Sequence, residues 1–149
     1  MRYRPEDLER VCYDILVAAG ADPVEAQDVA LGLVIANRRG IDSHGMVRLP
    51  VYMARFEAGL IDKKTVCNVV NETLATAVVD AQNCWGAVAS KFAMNLAIDK
   101  ASKTGVGIVG VRNSNHFGIA AHYGMMALKH DMIGITMTNA SPSLAPWGG

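Results

Sequence analysis

Near residue 65 the spacing of apolar side chains changes period, and that change divides the chain into two kinds of structure. Ahead of it, Leu8, Val11, Cys12, Ile15, Leu16 and Ala19 recur at the i, i+3, i+4, i+7 steps of one helical face. Pro5 suits a first helical turn and Gly20 ends the helix. Asp22 and Glu25 then spell a capping box around Pro23, which predicts a second helix with the face Ala26, Val29, Ala30, Leu33 and Val34. A third helix is predicted over about residues 47–58, with Pro50 either delaying its start or kinking it.

Beyond the change, "TVCNVV" and "ATAVVDA" read as two strands around the turn-like "NET". Residues 86–103 read as a helix with Val88, Phe92, Leu96 and the intervening alanines facing inward. A strand "VGIVGV" (106–111), a helix over about 118–129 and a strand "IGITMT" (133–138) follow. These three elements predict a right-handed βαβ unit, its strands apolar throughout and therefore covered on both faces. The expected fold class is α/β: an N-terminal helical subdomain over 1–61, then part of a mixed-sheet α/β domain over 62–149.

The 149 residues suffice for one domain with a real core. Fourteen basic residues balance fourteen acidic ones, so no net field favours nucleic acid or an anionic membrane. No apolar run approaches the roughly 18 residues a membrane helix needs, and the opening "MRYRPEDLER" is too charged for a secretory signal. Cys12, Cys67 and Cys84 are odd in number and lack metal-ligand spacing, which predicts free thiols in a reducing, cytoplasmic setting. The closing "SPSLAPWGG" consists of loop-forming residues with no final helix or strand, which predicts a fragment.

Among the motifs, "GVGIVG" (105–110) matches the dinucleotide fingerprint G-x-G-x-x-G. That motif must follow a strand and open a helix so that phosphate meets a helix amino terminus. Here it follows a helix and lies inside a strand, so it is read as a decoy. "GIDSHG" (40–45) places Ser43 beside His44 but lacks the G-x-S-x-G elbow of hydrolases. Neighbouring side chains rarely point at one another, so a serine-hydrolase reading is weak, and Ser43 also suits a helix N-cap. Arg48, four residues past His44, supplies the alternative: a histidine and a guanidinium gripping a carboxylate.

"RNSNHFG" (112–118) falls at the carboxyl end of the predicted 106–111 strand, where open α/β sheets bind ligands. His116 there is suited to moving a proton near neutral pH, with Asn113, Ser114 and Asn115 fixing its tautomer or touching substrate. An ordinary loop, its polar residues satisfying backbone groups and capping the next helix, explains the same letters equally well. His122 and His130 follow at six and eight residues without an interleaved carboxylate or thiol, so no metal site is predicted. Met125 and Met126 read as core filling.

Three stretches taken together, "RRGIDSHGMVRLPVY" (38–52), "GVRNSNHFGIAAHYGMMA" (110–127) and "IGITMTNASPSLAPWGG" (133–149), resemble the malate/L-lactate dehydrogenase family of the non-Rossmann type. "VVDAQNCWGAVASKFAMNLAIDKA" is similar to the same family, so the resemblance runs along essentially the whole chain. It implies a non-Rossmann α/β cofactor domain and hydride transfer between NAD or NADP and C2 of a small 2-hydroxy or 2-keto acid. By that resemblance His116 is the acid/base histidine, with His44 its rival for proton transfer, and Ser43, His44 and Arg48 line the active site. Thr138, Asn139, Ala140 and Ser141 fall on the family's nicotinamide-side loop. It further implies a homodimer and a chain about twice as long. Ala140 and Ser141 fit the malate- or lactate-type branch better than the ureidoglycolate type. A catalytically silent fragment or interaction module is the competing expectation.

Overall fold

The structure, a computed structural model, describes residues 3–62 and 66–140. Three helices come first: α1 (Pro5–Ala18), α2 (Pro23–Arg38) and α3 (Leu49–Glu57). The side chain of Asp22 accepts the backbone N–H groups of Val24 and Glu25, so the predicted start of α2 is a true side-chain cap. α3 begins at Leu49 with Pro50 in its first turn, where a missing N–H costs nothing; the proline delays the helix and does not kink it. Cys12 and Leu16 of α1, Val29 and Leu33 of α2, and Leu49, Tyr52 and Phe56 of α3 share one core, which Trp85 enters from the far side.

The sheet is three-stranded in the order β1 (Asn68–Glu72), β2 (Thr76–Asp80), β3 (Ile108–Arg112). β1 and β2 are an antiparallel hairpin, its turn held by Thr73 Oγ1, which accepts the N–H groups of Ala75 and Thr76. β2 and β3 are parallel, with Thr76 opposite Ile108 and Asp80 opposite Arg112. Helix α4 (Gly86–Thr104) makes the crossover between them. The βαβ unit is therefore β2–α4–β3, two elements earlier than the sequence predicts.

Three expectations about this half fail. The buried line of α4 is Gly86, Ala87, Ala89, Ala93, Ile98 and Lys100, whereas Phe92 is 38% exposed. Small side chains let the helix lie close to its neighbours, and Phe92 is left at the rim. Residues 133–138 form no strand: Ile133, Ile135 and Met137 are 91%, 72% and 86% exposed. An alternating apolar run becomes a strand only when another strand takes up its N–H and C=O groups, and none of the described residues does so here. β3 is likewise uncovered on one side, so the prediction of burial on both faces does not hold.

The glycine-rich decoy has a structural explanation. Gly105 caps α4 in the left-handed conformation at φ +82°. At Gly107 a Cβ would run into the carbonyl of Ala97, so the chain turns from helix into strand too tightly for any side chain. The last elements are α5 (Ala120–Gly124), continued by a 3-10 helix over Met125–His130. The predicted helix over about 118–129 is thus present but tightens after one α-helical turn. No helix among the described residues is long and apolar enough to cross a membrane.

Candidate active site

Segments far apart in sequence meet at the carboxyl end of β3. The first is the approach to α3, which folds as two consecutive 3-10 turns, Asp42–His44 and Met46–Arg48, joined at Gly45. Asn37, at the end of α2, ties the joint: its Oδ1 accepts the Met46 N–H at 2.8 Å. Ser43 caps nothing, contrary to the cap reading. Its Oγ lies 2.9 Å from His44 Nδ1, so these adjacent side chains do meet. Nδ1 is the ring nitrogen nearest the backbone, within reach of the preceding side chain in so tight a turn. Arg48 Nε donates to the Ser43 carbonyl at 2.7 Å, which anchors the guanidinium by one edge.

The second segment is the loop 113–119. Asn113 takes φ +54° and donates through Nδ2 to both carboxylate oxygens of Asp80 at 3.1 Å. Asp80 also accepts from the Gln82 N–H and from Arg112. The Gln82 bond first, then Asn113 and Arg112, holds its carboxyl below the usual range. Asn115 Nδ2 donates to the carbonyls of Asn83 and Cys84, while its Oδ1 accepts from Arg55 Nη2 at 3.0 Å. Asn113 and Asn115 therefore brace the loop, as the ordinary reading had it, and His116 is the residue they present. Gly86 makes room behind it, because a Cβ there would strike the carbonyls of Asn115 and His116.

His116 and His44 stack with ring centroids 5.4 Å apart. Tyr52, buried at 6% exposure in α3, places its Oη 2.6 Å from His116 Nδ1. The Tyr52 ring in turn packs against Trp85, and Trp85 against Phe56 at 5.0 Å. Burial pushes the Tyr52 phenol up to about 12, so it stays neutral at any physiological pH. Burial lowers the His116 pKa, and the neighbouring His44 and Arg48 lower it further. A neutral imidazole results, bound at one nitrogen and able to take a proton at the other.

Of the residues singled out in the sequence, Ser43, His44, Arg48 and His116 thus come together. Thr138, Asn139 and Ala140 are exposed with no hydrogen bond to that cluster among the described residues, and Ser141 lies outside them. His122 sits against the Tyr123 ring, and no metal-binding group of three forms among the described residues. The cysteines form no disulfide, with Cys67 and Cys84 Sγ 3.9 Å apart. Sequence reasoning missed Tyr52 and Trp85; the i, i+4 step from Arg48 to Tyr52 was the only local hint.

A mixed three-stranded sheet with paired histidines and an arginine gathered at one strand's carboxyl end defines an α/β unit. Residues 3–149 match the malate/L-lactate dehydrogenase family, and the chain belongs to it. It is 43% identical over 149 residues to L-sulfolactate dehydrogenase of Methanocaldococcus jannaschii, covering all of this chain and 43% of that relative. With malate dehydrogenase of Pyrococcus abyssi the identity is 42% over 149 residues, covering 100% of this chain and 41% of that one. The solved structure of malate dehydrogenase from Pyrococcus horikoshii superposes with a TM-score of 0.86 at 36% identity, over 87% of this chain and 37% of that one. The chain thus spans less than half the length of the relatives it matches.

Proposed function

We propose that this chain carries the proton-transfer and carboxylate-binding half of an NAD(P)-dependent 2-hydroxyacid dehydrogenase acting on malate-type acids. The observation that supports it is the meeting of His116, His44 and Arg48 in one open site, with His116 tied at Nδ1. Oxidising a 2-hydroxy acid requires a base for the hydroxyl proton, a cation for the carboxylate and an acceptor for hydride. His116 takes the proton. Arg48, braced by the Ser43 carbonyl, offers its Nη groups to the C1 carboxylate as parallel donors. His44, stacked on His116 and bonded to Ser43, borders the same oxygen. Thr138 and Asn139 would hold the carboxamide side of the nicotinamide, whose chemistry when bound is to accept the hydride from C2. Malate and sulfolactate are named among the relatives; both join a C1 carboxylate to a C2 hydroxyl, and malate is the favoured acid.

In the dehydrogenase, His116→Ala is expected to cut turnover by about 10²–10⁴-fold, the usual contribution of a general acid–base group, with NADH affinity little changed. The oxidation rate falls on the acid side as His116 gains its proton, at a pH below the ordinary histidine value because that pKa is lowered. Unchanged turnover in the variant moves the role to His44. A second reading, that the 149-residue chain alone is catalytically silent, is favoured by its covering 43% of the sulfolactate relative. Calorimetry of this chain with NADH separates the two, since tight binding contradicts a silent chain.

A further inference from the structure

Tyr52 touches no substrate in the scheme above, yet its hydroxyl is bonded to the ring of His116 itself. Its Oη is 2.6 Å from His116 Nδ1 and 3.5 Å from the carbonyl oxygen of the same residue. The ring cannot swing away, because Tyr52 is buried and packed against Trp85, which Phe56 backs in turn. We propose that Tyr52 is a positioning residue that holds His116 by Nδ1 through both protonation states, so that proton exchange with the substrate oxygen takes place at Nε2. The proposal rests on the dehydrogenase reading for its substrate, but not for its geometry.

Only a partner able to reverse its role can hold Nδ1 in both states. When Nδ1 is bare, it accepts from Tyr52 Oη and also from the Gly118 N–H at 3.3 Å. The neutral ring then carries its proton on Nε2 and cannot take another there. The form able to accept a proton at Nε2 has its hydrogen on Nδ1, and that hydrogen needs an acceptor. A backbone N–H cannot become one, whereas a hydroxyl both donates and accepts. Tyr52 Oη accepts from Nδ1–H and turns its own hydrogen to the His116 carbonyl. In the oxidation direction the substrate hydroxyl proton then moves to Nε2, the other hydrogen stays on Nδ1, donated to Tyr52 Oη, and the ring becomes an imidazolium. The phenol, held neutral by burial, gives up no proton itself.

Tyr52→Phe keeps the ring against Trp85 and removes only the hydroxyl. Long-range ¹H–¹⁵N NMR of the histidine rings reads the contact directly, in this chain, across a pH titration. The expected result is a shifted His116 Nδ1 resonance in the variant, with His122 and His130 unchanged. In the dehydrogenase the same variant is expected to lower kcat roughly tenfold while KM for the acid stays within about twofold, on the scale of one lost hydrogen bond. An unmoved Nδ1 resonance overturns the proposal, and so does an unchanged kcat or an effect confined to KM. A moved resonance in a protein whose wild type oxidises no 2-hydroxy acid upholds the His116–Tyr52 coupling and sinks the dehydrogenase reading, so the two failures are distinguishable.

Discussion

The helical core and the run after the last helix are both built from apolar residues and end in opposite places. Leu16 and Phe56 are 0% and 1% exposed, whereas Ile133 and Met137 are 91% and 86% exposed. Both stretches carry apolar residues read as buried, at helical spacing in the first and as a continuous run in the second. The difference is that α1, α2 and α3 close on one another and on Trp85, while residues 132–140 find no covering layer among the described residues. Apolarity supplies the drive for burial, but a second surface must exist to receive it. The candidate site lies between these regimes, with Tyr52 rooted in the closed core and His116 keeping an open side.

The largest test of that contrast is Phe56→Ala. Removing a fully buried ring leaves a cavity beside Trp85 and is expected to cost about 3–5 kcal/mol, read as a lower urea midpoint; a loss under about 1 kcal/mol would mean the core collapses to fill the space. Gly107→Ala comes next. The added methyl meets the Ala97 carbonyl, and the expected cost is about 1–3 kcal/mol from strain. Normal stability in that variant would show that α4 and β3 are less tightly joined than the geometry has them. The smallest effect belongs to Ile133→Ser in this chain, expected to stay within about 0.5 kcal/mol as at other exposed positions. A larger loss, especially one that grows with protein concentration, would show that the exposed run is covered in solution.

Much of the fold was legible because the signals are local. Asp22 at the start of α2 and Gly20 after α1 each act over a few residues and sit where the letters place them, while the hairpin turn falls at 73–75, just past the predicted "NET". The decoy status of "GVGIVG" was legible for the same reason, since a fingerprint inside a strand lacks a helix to follow it. Residues 133–138 misled because a continuous apolar run describes one strand and says nothing of its partner. Ser43 misled too: the rule against adjacent contacts assumes regular backbone, and this backbone is a pair of 3-10 turns.

From the sequence alone come the helical first part, the β2–α4–β3 elements, and a set of polar residues whose resemblance to one dehydrogenase family singles out Ser43, His44, Arg48 and His116. Only the tertiary structure joins His116 to Tyr52 across 64 positions, seats Trp85 beneath them and turns Asn113 and Asn115 into braces. The physical reason is range. Caps, turns and periodicity are set by neighbours a few residues away, whereas the tautomer and pKa of a histidine are set by whatever packing brings to its ring, and no local pattern encodes that distance.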